Sequence, residues 1–127
     1  MKLKFKLLFT VLLTFTVPFM FPFSAFAGAG AWDYKGSYWM TYQSPTIKSG
    51  GGYFQACLLS SSGSGYTFTL YEVDESGNPP ETVGTAFISK GSCKTFYVNN
   101  YVDGTNDQAE LVLFKGNDSY VKVSFYD

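Results

Sequence analysis

The chain contains no histidine, and because all nine of its basic residues are lysine it contains no arginine either. The first absence removes the usual general base of hydrolytic triads and the commonest metal ligand. The second, together with a slightly negative net charge, leaves no surface able to neutralise a row of phosphates. Nucleic acid is thereby excluded as a partner, and so is charge-driven docking on anionic lipid. No window of about a dozen residues shows apolar spacing of three and four, which predicts almost no helix, and no internal repeat is present. Cysteine occurs only twice, at Cys57 and Cys93.

What is present begins with an export signal. Lys2, Lys4 and Lys6 precede an apolar run from Leu7 to Val17, and Ala25-Phe26-Ala27 places small residues at the positions a signal peptidase reads. This pattern predicts a secretory signal peptide over residues 1–27, with a secreted product. Pro18 and Pro22 interrupt the apolar stretch and no basic stop-transfer run follows, so no stable membrane span is expected after cleavage. Gly28-Ala29-Gly30-Ala31 is too small to pack and reads as a flexible lead-in over 28–31. The remainder, 32–127, has the size of one domain. The mature chain carries six lysines against ten acids, a net charge of about −4.

Seven runs have strand character: 37–43, 53–59, 66–73, 84–89, 93–98, 109–115 and 119–126. Each is rich in β-branched or aromatic residues and is bounded by Gly, Ser, Asn, Asp or Pro. Lys115-Gly116-Asn117-Asp118 reads as a short hairpin between the last two. Alternation sets Phe54, Ala56 and Leu58 against Tyr53, Gln55 and Cys57. It likewise sets Phe96 and Val98 against Cys93, Thr95 and Tyr97, and Val121, Val123 and Phe125 against Tyr120, Lys122, Ser124 and Tyr126. One apolar face per strand predicts an all-β fold, a seven-stranded antiparallel β-sandwich with Greek-key or immunoglobulin-like connections. In an exported chain two cysteines are expected to pair. Both fall on the less apolar faces of their strands, which predicts a cross-strand disulfide on the outside of one sheet at an ordinary Cα separation.

Catalytic chemistry finds little support. Ser119 and Lys122 match Ser-x-x-Lys by letter, but an offset of three on a strand places them on opposite faces. Glu72 and Glu110 are the acids set inside strands, and they read as solvated edge charges rather than as a carboxylate pair across a cleft. No enzyme and no cofactor are expected. Asp103-Gly104-Thr105-Asn106-Asp107 offers oxygens at alternate positions, which makes Asp103 and Asp107 weak calcium candidates, and Asp74, Glu75 and Asn78 crowd a second turn. The strongest positive signal is aromatic: the mature chain carries six Phe, ten Tyr and two Trp. The Phe residues are assigned to the core. Tyr53, Tyr97, Tyr120 and Tyr126 on polar faces, with Trp32 and Trp39 near the mature N-terminus, are candidate ligand-binding residues, because Tyr and Trp give rigid amphipathic contact surface.

The stretch Ala29-Gly30-Ala31-Trp32-Asp33-Tyr34-Lys35-Gly36-Ser37-Tyr38-Trp39 resembles the start of mature lactococcin 972-type bacteriocins. That resemblance implies a small secreted β protein acting on cell-wall synthesis through its lipid-linked precursor. The chain departs from that family in its length, its cysteine pair and its lack of histidine. The residues by themselves predict a secreted, non-catalytic binding module, with an extracellular glycan, a cell-wall component or a protein as partner. A secreted bacteriocin or toxin-like protein is the alternative.

Overall fold

A computed structural model of the chain describes residues 31–74 and 77–127. The expected signal peptide, residues 28–30 of the lead-in and Glu75 of the second acidic turn lie outside the described residues. The elements are β1 (Tyr34–Met40), β2 (Ile47–Ser49), β3 (Tyr53–Ser61), β4 (Gly65–Glu72), β5 (Glu81–Ser89), β6 (Cys93–Tyr97), a 3-10 turn (Asn99–Tyr101), β7 (Ala109–Lys115) and β8 (Val121–Tyr126). The strands form two four-stranded antiparallel sheets, one in the order β1-β8-β3-β6 and the other in the order β2-β7-β4-β5.

The pairing has a simple logic. The hairpin β4·β5 is the tip of a rolled ribbon, and the successive rungs below it are β3·β6, β2·β7 and β1·β8. Contacts β3·β8 and β4·β7 close the rungs into two sheets. This is the strand order of an eight-stranded jelly roll. Between the sheets the inward residues meet: Phe54, Leu58, Val123 and Phe125 from the first sheet, and Phe68, Leu70, Leu111 and Leu113 from the second, are fully buried. Burial of each such side chain contributes about 1.5–3 kcal/mol. The period-two phasing of the sequence therefore places Phe54, Ala56 and Leu58, and Val121, Val123 and Phe125, on their buried faces.

Several expectations are corrected. The described residues form eight strands, not seven; the added strand is the three-residue β2, in which Ile47 and Ser49 are buried and Lys48 is exposed. The order is not immunoglobulin-like, because β8 lies between β1 and β3. Lys115 to Asp118 does not form a hairpin: β7 belongs to one sheet and β8 to the other, and the link crosses over the end of the sandwich. Lys115 anchors that crossing. Its side chain is fully buried, its Nζ donates to the Asn117 carbonyl at 2.8 Å and to the Asn117 side-chain oxygen, and it lies 5.0 Å from the Tyr66 ring centroid. Phe87 and Phe114 are not in the core but exposed on the second sheet. Glu72 and Glu110 are not solvated: they are 2% and 5% exposed.

Candidate functional site

The outer face of the first sheet gathers the aromatic residues that alternation assigns to polar faces. Its geometry follows from strand register. Across the sheet, Ser37 faces Ser124, Ser124 faces Cys57, and Cys57 faces Cys93. This row of small side chains is flanked on one side by Trp39 opposite Lys122, and on the other by Tyr34 opposite Tyr126 and Gln55 opposite Thr95. Tyr53 opposite Tyr97 lies one step further along β3 and β6. Residues two apart on a strand lie about 6.6 Å apart on one face, so the rings are spread along the face rather than clustered at one point.

The rings associate in cross-strand pairs. Trp39 and Tyr120 are stacked, with centroids 4.9 Å apart and planes inclined by 12°. Tyr53 and Tyr97 meet edge to face at 5.3 Å, and Tyr34 and Tyr126 meet tilted at 5.6 Å. Such pairs add about 0.5–1.5 kcal/mol each beyond their buried area. Pairing does not conceal them: Trp39 is 50% and Tyr120 59% exposed. Lys122 stands 5.9 Å from the Trp39 ring centroid and brings a cation to the same corner. The polar groups between the rings are Gln55, whose amide donates to the Thr95 hydroxyl at 3.3 Å, and Ser124, whose buried hydroxyl has no partner.

A bulge in β1 brings Tyr34 onto this face. Register slips between Tyr34 and Gly36, and Gly36 has φ +123°, a left-handed conformation that other residues rarely adopt. The Tyr34 hydroxyl then donates to the Ser37 hydroxyl at 2.8 Å. Tyr38 points the other way and packs on Phe125 at 6.2 Å.

The disulfide joins Cys57 and Cys93 as a directly opposed pair on adjacent strands of this sheet. Its Cα separation, 3.9 Å, is shorter than the usual range for disulfides, which corrects the expectation of an ordinary spacing. Cys57 is buried beneath its neighbours and Cys93 is exposed. Of the six candidate binding residues, Tyr53, Tyr97, Tyr120, Tyr126 and Trp39 therefore share one face. Trp32 precedes β1, is exposed, and takes part in none of the ring pairs of this face. Tyr34 is not one of the six, because it precedes the strand expected at 37–43; β1 starts three residues earlier, at Tyr34, and its bulge breaks simple alternation there.

The weak calcium candidates separate. Asp107 is exposed, with φ 51°, while Asp103 approaches Glu72 and Glu110, and one carboxylate oxygen of each of these three lies within 4.8 Å of the others. Burial, then the charges of Asp74, Asp103, Glu110 and Glu81, push the Glu72 carboxyl up to about 7. On the second sheet, Gln43, Tyr71, Val73, Pro80, Val112 and Phe114 line a shallow apolar groove.

Residues 27–125 match the model of the family described as the YndA coiled coil domain. The chain belongs to that family. One YndA-family relative, "Uncharacterized protein YndA" of Bacillus subtilis (strain 168), is 42% identical over 102 residues, which cover 80% of this chain and 77% of the relative. In this YndA-family member the matched segment is not a coiled coil: among the described residues there is no α-helix, and the segment folds as two β-sheets. No helix among the described residues is long and apolar enough to cross a membrane. The intramolecular disulfide is of the kind that persists in oxidising compartments.

Proposed function

We propose that this YndA-family chain is an exported, non-catalytic binding module whose contact surface is the outer face of the first sheet, and that its ligand is an extracellular or cell-wall glycan. The observation that carries this reading is the arrangement of Trp39 with Tyr120, Tyr34 with Tyr126 and Tyr53 with Tyr97 as ring pairs on one sheet, all exposed except the half-buried Tyr126. Exposed aromatic rings stack on the apolar faces of sugar rings, and Gln55, Thr95 and Lys122 offer hydrogen bonds to hydroxyls. A sheet reinforced by a cross-link costs little to order on binding, which favours affinity. The basic N-terminal segment and the Ala-x-Ala site support export.

The test is retention of the purified mature protein on peptidoglycan and on insoluble polysaccharides. Wild type is expected to be retained, and the Trp39→Ala/Tyr120→Ala and Tyr120→Ala/Tyr126→Ala double variants are expected to be released while keeping the wild-type far-UV spectrum. Retention of both variants at the wild-type level would refute the assignment of the face, and failure of wild type to bind any glycan would refute the ligand class. An antimicrobial role is the second reading. It is favoured by the fact that the segment resembling lactococcin 972-type bacteriocins supplies Tyr34 and Trp39 to this same face. Growth inhibition of Gram-positive indicator cells that is lost in the same variants would select it.

A further inference from the structure

The three-acid cluster stands at the end of the sandwich, away from the aromatic pairs, and joins segments remote in sequence. Glu72 ends β4, Glu110 lies near the start of β7, and Asp103 lies in the loop that leads into β7. Asp103 is fixed by a bridge to Gln108, with its amide donating to the Gln108 carbonyl at 3.5 Å. Asn106 in the same loop donates its side-chain amide to Glu110 and accepts from the Gln108 amide at 3.2 Å. The backbone around Glu110 is also held, since its carbonyl accepts from the Val73 amide at 2.8 Å.

Acids gathered in a turn are ordinary, but Glu72 is not. It continues the inward series Phe68, Leu70, Glu72 on β4 and is 2% exposed, and one of its carboxylate oxygens is buried without any hydrogen-bond partner. Among the described residues no lysine forms an ion pair with Glu72, Asp103 or Glu110; the ion pair present joins Lys35 to Asp127. A buried, unpartnered carboxylate facing two further carboxylates is a costly arrangement unless a cation offsets it. The spacing fits one. Oxygen ligands of calcium lie at about 2.3–2.6 Å from the ion, so two of them are separated by no more than about 5.2 Å, and the three oxygens here meet that condition at 4.8 Å.

We infer that Glu72, Asp103 and Glu110 form a binding site for a hard divalent cation, calcium in preference to magnesium. All three donors are carboxylate oxygens, which suit hard cations. Zinc and copper would draw on imidazole or thiolate, and the chain has no histidine and commits both cysteines to the disulfide. Acids from two strands and a loop can supply the larger, irregular oxygen shell that calcium accepts, whereas magnesium demands near-octahedral geometry. The ion ties the 103–108 loop to the ends of β4 and β7, and solvent completes its coordination. The glycoside-hydrolase alternative is disfavoured by burial, because neither glutamate lines the open groove on the second sheet.

The experiment is calorimetric titration of chelator-treated mature protein with calcium chloride and with magnesium chloride, alongside thermal melts in chelator and in calcium. Wild type is expected to bind one calcium, with a Tm that rises with calcium concentration, and to bind magnesium at least about tenfold more weakly. Asp103→Asn changes an exposed side chain and leaves the fold intact; it is expected to weaken calcium binding at least about tenfold, since one of three anionic ligands is lost. Glu72→Gln is expected to melt above metal-free wild type, because a buried charge has been removed, and to lose the calcium response. Absence of calcium heat together with an unchanged wild-type Tm would overturn the site, as would a full calcium response in either variant. Equal affinity for magnesium would overturn the preference.

Discussion

Replacing Cys57 and Cys93 together by alanine removes the cross-link from the second rung of the rolled ribbon. The two residues are 36 apart in sequence and directly opposed across β3 and β6. The loop they close contains the whole β4·β5 hairpin, which belongs to the other sheet. In the chain-entropy description, opening a loop of that length frees the unfolded chain by about 3.8 kcal/mol at 25 °C. A domain of about 95 residues has an unfolding entropy near 200 cal/mol/K, so the expected fall in Tm is about 20 °C. Truncation of the side chains adds little, because Cys93 is exposed and only Cys57 leaves a small void. The measurement is a thermal melt by circular dichroism of the double variant, with wild type melted with and without reductant. Reduced wild type and the double variant are expected to coincide. A fall of less than about 5 °C would refute the loop-entropy reasoning. It would mean that the unfolded chain is already restricted, or that the β3·β6 rung holds equally well without the bond.

Other outcomes follow from single features. Trp39→Ala/Tyr120→Ala should cost only about 1–2 kcal/mol of stability by denaturant melt, since the stacked rings remain half exposed; a larger loss would mark the pair as structural rather than ligand-facing. Gly36→Ala forces a side chain into φ +123° and against the Tyr38 ring, so destabilisation of at least about 1–2 kcal/mol is expected in the same assay. Burial lowers the Lys115 amine below its ordinary 10.5, against the opposing pull of Tyr66 and Asp118, while hydrogen bonds from Ser119 and Ser62 lower Tyr66 below 10.0. The unfolded chain then holds more protons in the alkaline range, so stability should rise as pH increases through the lowered values toward 10.5. Lys115→Met should flatten that rise in Tm-against-pH curves.

The faces of the strands were legible in the sequence because alternation is local. Phe54, Leu58, Val123 and Phe125 had to share a side with whatever was buried, and Tyr53, Tyr97 and Tyr126 had to face away. The partner of each face was not legible. Lys115 to Asp118 looks like a hairpin because the runs around it alternate equally well whether β8 pairs with β7 or crosses to the other sheet. The strand pairing distinguishes the two: β7 lies between β2 and β4, and β8 lies between β1 and β3. β2 is three residues between Pro45 and the 50–52 glycines, too short for any period to register. Glu72 carries a signal in the sequence that outweighs its position at a strand end. It continues the inward parity of Phe68 and Leu70, and on a strand parity outweighs the tendency of an acid at the strand end to be solvated.

The rolled ribbon explains why both candidate sites resist local reading. Each rung below the tip brings together residues from opposite ends of the chain, so Tyr34 meets Tyr126 and Trp39 meets Lys122. The acid cluster likewise joins the end of β4 to the start of β7, sheet neighbours that are separated along the chain by β5, β6 and the 3-10 turn. A pattern with period two can say which side of a ribbon a residue occupies, but not which distant strand will lie beside it. The disulfide is the exception, because covalent chemistry names its own partner: once Cys57 and Cys93 are joined, β3 and β6 are neighbours and the hairpin between them is the tip. The order of the remaining strands is set by their own pairings, with β8 between β1 and β3 and β7 between β2 and β4. The same bond that limits the unfolded chain also holds the rung on which Tyr53 stands opposite Tyr97.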